Sequence, residues 1–298
     1  MNSYYHLLAD GRLTRRFIIS DTDYYAAFNI LGVCAAQSGF TILSFSLEET
    51  HPHILGFGEM ETCLRFKELY EITYFRHIVT SRGSADGVKF KIDIIEITNA
   101  DHLKNVGTYI ISQATKDGKD VMPYDYPWGT GSMYFRDGRH NSIWCFDSKG
   151  CYCEPFPIGR LSARSQALLL HTKRRVPQTW QISNGFLLPD NYIDVAHYEH
   201  IYRTHNCYRS FMSSGKNRDN EILNEIAKVR GVMLEDREAK SVCQKTSIDI
   251  FRTENILKLS GEQRLILAQK LRKNHNISIR QLSDLVKLPE SELFTYVK

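Results

Sequence analysis

Two hydrophobic periods alternate along the first 120 residues, and this alternation limits the possible folds more than any other feature of the chain. Arg15–Ser20 is a short β-type run. Asp21 or Thr22 then caps a helix in which Phe28, Leu31 and Ala35 recur at helical spacing and Gly39 marks the stop. Thr41–Leu47 alternates with period two, Leu43, Phe45 and Leu47 on one face and Ser44 and Ser46 on the other, as a strand does. Glu48–Thr50 interrupts before a second strand, His51–Gly58, and a helix is expected from Glu61 to Val79. After a Gly/Ser-rich loop, Ser81–Gly87, come a strand at Phe90–Ile97 and a helix capped by Asn99 or Asp101 that runs to Lys116 and stops at Asp117-Gly118. The order β-α-β-β-α-β-α predicts an α+β fold: a ferredoxin-like antiparallel sheet with helices on one face, followed by a mainly α-helical C-terminal region.

The later segments read less regularly. Residues 120–160 are rich in aromatics, Gly and Pro and suit irregular turns or a hairpin; 197–209 is a Tyr/His-rich helical stretch, and Ser213–Asn217 reads as a linker. Near the end, Ser260-x-x-Gln263 and Ser278-x-x-Gln281 are capping-box patterns ahead of apolar-periodic runs, and Pro289 is placed to start a third helix. Three short helices with tight turns suggest a helix-turn-helix. The expected division is 1–154 as a catalytic domain, 155–250 as a basic, mainly helical extension, and 251–298 as the helix-turn-helix-like segment.

Charge supports unequal halves. The chain has 298 residues and a net charge of +4, yet residues 1–154 hold 15 basic against 19 acidic side chains and residues 155–298 hold 23 against 15. The second half is the one suited to a polyanion. No run of 18 apolar residues is present, so no membrane partner is expected. The first residues lack a charged stretch followed by an apolar one, and the 7 cysteines are irregularly spaced, so a reducing, cytoplasmic setting is expected.

His51-Pro52-His53 is the first candidate for chemistry. Residues two apart on a strand project from one face, so the two imidazoles could converge on one metal ion. Alone the signal is weak in a chain with 11 histidines. Tyr109 and Gln113 are four apart and share a helix face; among 16 tyrosines, Tyr109 alone reads most simply as a packing residue.

Taken together, and in order, these landmarks resemble the single-tyrosine HUH transposases, in particular the REP-associated branch. That family has a His-hydrophobic-His strand, followed by a helix entered by Asp-x-Leu-x-x-Val and carrying Tyr-Ile-x-x-Asn-Pro-x-Arg-x-Gly, then Pro-Trp-Ser-Ser. This chain has Thr50-His51-Pro52-His53-Ile54-Leu55; Asp101, Leu103 and Val106; Tyr109-Ile110 with Gln113, Ala114, Lys116 and Gly118 in register; and Tyr126-Pro127-Trp128-Gly129-Thr130. The likeness covers roughly residues 13–135. Pro52 stands where the family has an aliphatic residue, and Gln113-Ala114 where it has Asn-Pro; Gln113 preserves the amide oxygen.

The resemblance implies a metal-dependent enzyme that cleaves single-stranded DNA beside hairpins or palindromes and transfers the strand. Tyr109 would be the nucleophile, forming a 5′-phosphotyrosine, and His51, His53 and Gln113 would hold a divalent ion, Mg²⁺ or Mn²⁺. A homodimer is compatible with it, as is a monomer. The alternative is a catalytically inactive or domesticated relative that binds structured DNA as a regulator; a replication- or conjugation-type nicking enzyme ranks third. Candidate DNA-binding residues are Lys116, the cluster Lys173, Arg174 and Arg175, and Arg280 and Lys287 in the last helices. Glu290 and Glu292 oppose the last pair. Trp180, Tyr192 and Tyr198 are candidates for stacking bases, with core packing as the plainer reading. Cys145, Cys151 and Cys153, with His205 and Cys207, lack the paired Cys-x₂-Cys knuckles of a zinc site.

Overall fold

The computed structural model describes residues 1–11, 14–116, 118–136, 143–213, 215–230, 234, 236–275 and 277–297. Two compact units emerge: residues 1–9, 17–85 and 90–222 form the first, and residues 10–16, 86–89 and 223–298 the second. The fold is α+β, with twelve helices among the described residues.

The first unit is built on a four-stranded antiparallel sheet of order β2-β3-β1-β4. Its strands are β1 (Ser3–Ala9), β2 (Thr41–Ser46), β3 (His53–Gly58) and β4 (Ile92–Ile97). Helix α1 (Asp21–Ser38) connects β1 to β2, and α2 (Met60–Arg82) connects β3 to β4. The Ser20 hydroxyl caps α1 by accepting from Asp23 N, and Gly39, at φ 74°, closes it in the left-handed conformation that glycine adopts without strain. Phe45 and Ile54, a cross-strand pair, point to the side covered by α1, where Phe28 meets Phe45 edge-on at 5.3 Å. Side chains alternate along each strand, so Ser46 and His53 point the other way. Helix α3 (Ala100–Ile111), capped by the Asn99 side chain, follows β4.

Several sequence expectations are corrected. Arg15–Ser20 is not a strand; the first strand is Ser3–Ala9, whose near-continuous buried run hides its alternation because β1 is a central strand covered on both sides. The strand expected from His51 begins at His53. Helix α3 ends at Ile111, and α4 (Gln113–Lys116) resumes after Ser112, whose hydroxyl bonds back to the Thr108 carbonyl at 2.8 Å and loosens the turn. Of the stop expected at Asp117-Gly118, Asp117 lies outside the described residues; Gly118 has φ 78°.

Residues 155–222 fold with the first unit rather than beginning a separate extension. The buried Asn29 amide of α1 explains why. Its nitrogen donates to the carbonyls of Leu169 (2.9 Å) and Gly185 (2.8 Å), and its oxygen accepts from Leu187 N (2.8 Å). This stretch contains α5 (Ala163–Leu169), the small sheet β5 (Phe156–Pro157), β6 (Gln181–Ser183) and β7 (Phe186–Leu187), then α6 (Val195–Tyr202) and α7 (His205–Ser213). Where a linker is expected, α8 (Gly215–Arg230) begins; Ser214 lies outside the described residues.

The second unit holds α9 (Asp236–Phe251), α10 (Gly261–Asn274), α11 (Ile279–Val286) and α12 (Glu290–Tyr296) around Leu267, Leu271, Leu282, Val286 and Leu293. Both capping boxes are complete: Ser260 with Gln263, and Ser278 with Gln281, each bond reciprocally. Pro289 stands at the N-cap of α12. Among the described residues, no helix is long and apolar enough to cross a membrane.

Candidate active site

The sheet face opposite α1 is polar at its centre. His53 on β3 lies diagonally from His6 on β1, and His6 Nε2 and His53 Nδ1 are 3.0 Å apart, sharing a proton between two buried rings. Helix α3 crosses this face and brings Tyr109 over the pair. The Tyr109 ring centroid is 5.7 Å from that of His53 and 6.4 Å from that of His6, both edge-on. His51 precedes the strand, yet its ring still meets His53 at 5.3 Å. The Thr50 hydroxyl holds His51 Nδ1 at 2.8 Å.

Beyond the break at Ser112, Gln113 Nε2 donates to the Tyr109 main-chain carbonyl at 3.2 Å. That bond uses the amide nitrogen and leaves the oxygen as the acceptor the side chain can offer elsewhere. Lys116, two turns beyond Tyr109, places its Nζ 4.1 Å from the centre of the phenol ring, a cation–π contact. The same Nζ pairs with Asp219 of α8 at 2.6 Å. Burial lowers the Lys116 pKa, and the Asp219 carboxylate works against that shift. Asn105, one turn before Tyr109, has a buried Oδ1 with no hydrogen-bond partner among the described residues. Asn105 and Tyr109, four residues apart on α3, share one helix face. The site is closed in this conformation: Tyr109 is 8% exposed and His53 and Gln113 are each 3% exposed.

A second polar network lies at the β2 edge. Glu48, 1% exposed, accepts from Ser46 Oγ at 2.9 Å and pairs with Lys119 at 2.5 Å. Lys119 also reaches the Tyr126 hydroxyl at 2.8 Å. Burial acts to lower the Lys119 pKa, but the Glu48 carboxylate outweighs it and the net shift is upward. Trp128 stacks on Tyr24 at 4.6 Å, while its carbonyl accepts from Leu47 N. The Pro-Trp landmark thus serves the sheet edge, where an unpaired strand needs cover.

Other predicted residues lie elsewhere. Gln37, near the end of α1, donates to the Arg175 carbonyl at 2.8 Å, so Lys173–Arg175 belongs to the helix layer on the far side of the sheet from Tyr109. Arg280 and Lys287 are exposed in the second unit, and Lys287 caps α11 at φ 57°. A cavity of about 750 Å³ in that unit includes Lys287 but none of the residues around Tyr109. Tyr198 is wholly buried and stacks on Tyr134 at 3.9 Å, and Tyr192 packs against Gly32; neither offers a face for a base. Trp180 packs with Tyr192 at 6.1 Å. Cys153 N donates to the Cys145 carbonyl at 2.7 Å, closing a turn, and all seven cysteines are free thiols.

His6 and Asn105 are the two site residues that sequence reasoning misses. His6 sits on the unrecognised first strand. Asn105 carried a usable signal, its four-residue spacing from Tyr109.

Among the described residues, no three His, Cys, Asp or Glu side chains gather closely enough to share an ion. Of the expected ligands, His51 and His53 meet with ring centroids 5.3 Å apart, and Gln113 begins α4, the next helix after Tyr109. Each imidazole has its Nδ1 held by a neighbour, His6 or Thr50, so a metal would be taken through Nε2. Two imidazoles with an amide oxygen are donors that would suit a divalent ion, and imidazole favours Mn²⁺ over Mg²⁺.

No protein-family model matches the chain, and no curated protein matches it.

Proposed function

We propose that the chain is a metal-dependent DNA strand-transferase of the HUH single-tyrosine kind, working on a ferredoxin-like core. The observation that carries this reading is the meeting of Tyr109 with His53 on one sheet face, with ring centroids 5.7 Å apart. The β-α-β-β-α-β element order and the β2-β3-β1-β4 sheet support it.

In this reading Tyr109 Oη attacks the phosphorus of a single-stranded phosphodiester and gives up its proton. The P–O3′ bond breaks, the 3′ oxygen takes a proton, and the 5′ phosphate stays on Tyr109. Reversal with another 3′-OH transfers the strand without ATP. A divalent ion held by His51, His53 and Gln113 would polarise the scissile phosphate. His6 fixes the tautomer of His53, Lys116 supplies positive charge beside the phenol, and the Asn105 oxygen awaits a donor from the substrate.

The test uses hairpin-forming single strands taken from the DNA flanking the gene, with Mn²⁺. Wild type should give a protein–DNA adduct that survives denaturation, and Tyr109→Phe should give none. An equal adduct from both proteins removes Tyr109 as the nucleophile.

A second reading rests on the burial of Tyr109, His53 and Gln113 and on the lack of a carboxylate in the donor set. It is a catalytically silent relative that binds structured DNA as a regulator. Hairpin binding that is tight without metal, and never followed by cleavage, supports it.

A further inference from the structure

Helix α2 is apolar on two opposite sides. One side, with Cys63, Phe66, Tyr70, Tyr74 and Ile78, is buried in the first unit. On the other, Leu64, Ile72, Phe75 and Val79 are 44%, 49%, 41% and 39% exposed. At 3.6 residues per turn, these four and Glu68 fall within an arc of about 80°, roughly opposite the buried set. The outer face of a surface helix is ordinarily polar, and four large apolar side chains gathered in one exposed arc mark a face suited to a partner.

The charges on the exposed side indicate what covers it. Glu68 lies four residues before Ile72 and Arg76 four residues after it, and both are exposed. If two copies of the helix run antiparallel about a two-fold axis at Ile72, each Glu68 meets an Arg76, about 6 Å along the helix from the axis. Leu64 then faces the Val79 turn. In a parallel pair, Glu68 would face Glu68. The exposed side carries Glu61, Arg65, Glu68 and Arg76 and is neutral in sum, so two copies approach without net repulsion.

We propose that this side of α2 is a homodimer interface, packed antiparallel on a second copy of the chain with Ile72 at the two-fold axis. The inference rests on α2 alone and is independent of the DNA reading. One helix face covers less than the roughly 800 Å² per partner of a standard stable interface, so the dimer is weak and concentration-dependent.

Sedimentation velocity of the full chain tests it between about 1 and 100 µM, where interfaces of this size dissociate. Wild type should pass from monomer to dimer. Ile72→Glu should weaken the dimer by at least about tenfold, since it places two carboxylates at the axis. Glu68→Arg alone should also weaken it, and Glu68→Arg with Arg76→Glu should restore it. All three positions are exposed, and circular dichroism confirms that each variant is folded. A chain that stays monomeric over this range, a dimer indifferent to Ile72→Glu, or a charge swap that restores nothing overturns the proposal.

Discussion

On one face of the N-terminal sheet, Phe28, Phe45, Phe66, Tyr70 and Tyr74 form a dry aromatic layer under α1 and α2. On the other, the same strands present His6, His53 and Ser46 to α3, which carries Asn105 and Tyr109. Most polar groups of the dry face are held by neighbours, although Thr73 Oγ1 of α2 is buried without a hydrogen-bond partner among the described residues. Tyr70 and Tyr74 donate to main-chain carbonyls, and Asp23 binds Ile19 N, His77 and Arg82 together. The polar face leaves Ser44 Oγ and Asn105 Oδ1 without partners among the described residues. Both faces hold such a group, so what separates them is chemistry: one packs aromatic rings whose hydroxyls donate to the main chain, and the other sets two buried imidazoles against a phenol.

The comparison breaks if Asp23 proves dispensable. Although burial opposes ionisation, His77, Ile19 N and Arg82 hold the Asp23 carboxyl down to about 2. Asp23→Ala should cost about 3–5 kcal/mol, because it strands the buried partners. Thermal melting measures the loss, and adduct yield per folded molecule should not change.

Gly107 gives the next effect. A Cβ there would lie 2.4 Å from the Tyr202 hydroxyl and 3.1 Å from that of Tyr198. Gly107→Ala should cost about 1–3 kcal/mol by overpacking. Adding Tyr202→Phe removes the nearer oxygen and should recover part of the loss, less the 2.8 Å bond from Tyr202 to the Lys104 carbonyl.

The pH response belongs to the dry side. Burial, with His77 beside it, pushes His171 from 6.5 down to about 4. The unfolded chain therefore takes up this proton first. Stability is full above about pH 6.5 and falls as the pH drops towards 4, by about 1 kcal/mol once partial exposure is allowed for. The Asp23 contribution persists lower still, down to about pH 2. Melting curves from pH 7 to 4.5 should show the slope, and His171→Phe should flatten it.

The smallest effect sharpens the polar face. Asp219→Asn releases Lys116 from its carboxylate. It should raise single-stranded DNA affinity a few-fold and steepen the slope of log K against log salt by about 0.7, as one further phosphate contact does. Fluorescence anisotropy across a salt series reads both.

Much of this was legible where local chemistry decides structure. Gly39, Asn99 and the two Ser-x-x-Gln boxes mark helix ends because each supplies a cap whose hydrogen bonds are local. The first strand was not legible. Tyr4-Tyr5-His6-Leu7-Leu8 lacks alternation because both of its faces are covered, whereas Arg15–Ser20 looks β-like only because Phe17 and Ile18 plug the core from a loop. His6 was lost with that strand. His51 and Tyr109 are brought forward by the ordered landmarks of the resemblance, since spacing alone leaves the first a weak signal and the second a packing residue. The charge division at residue 154 misled about folding, since charge says nothing of what Asn29 binds.

Asn29 and Gly107 have a consequence for recognising relatives of this chain. The first needs the main chain of residues 169–187 to satisfy its amide, and the second needs to be bare because Tyr202 sits against it. A shorter protein that keeps the His-x-His and Tyr landmarks but lacks the counterpart of residues 155–222 has no use for either. Such a protein should carry an apolar residue at the first position and an ordinary side chain at the second. The pair is thus a two-letter signature by which the longer architecture can be told from the shorter one, even in a fragment that stops before residue 155.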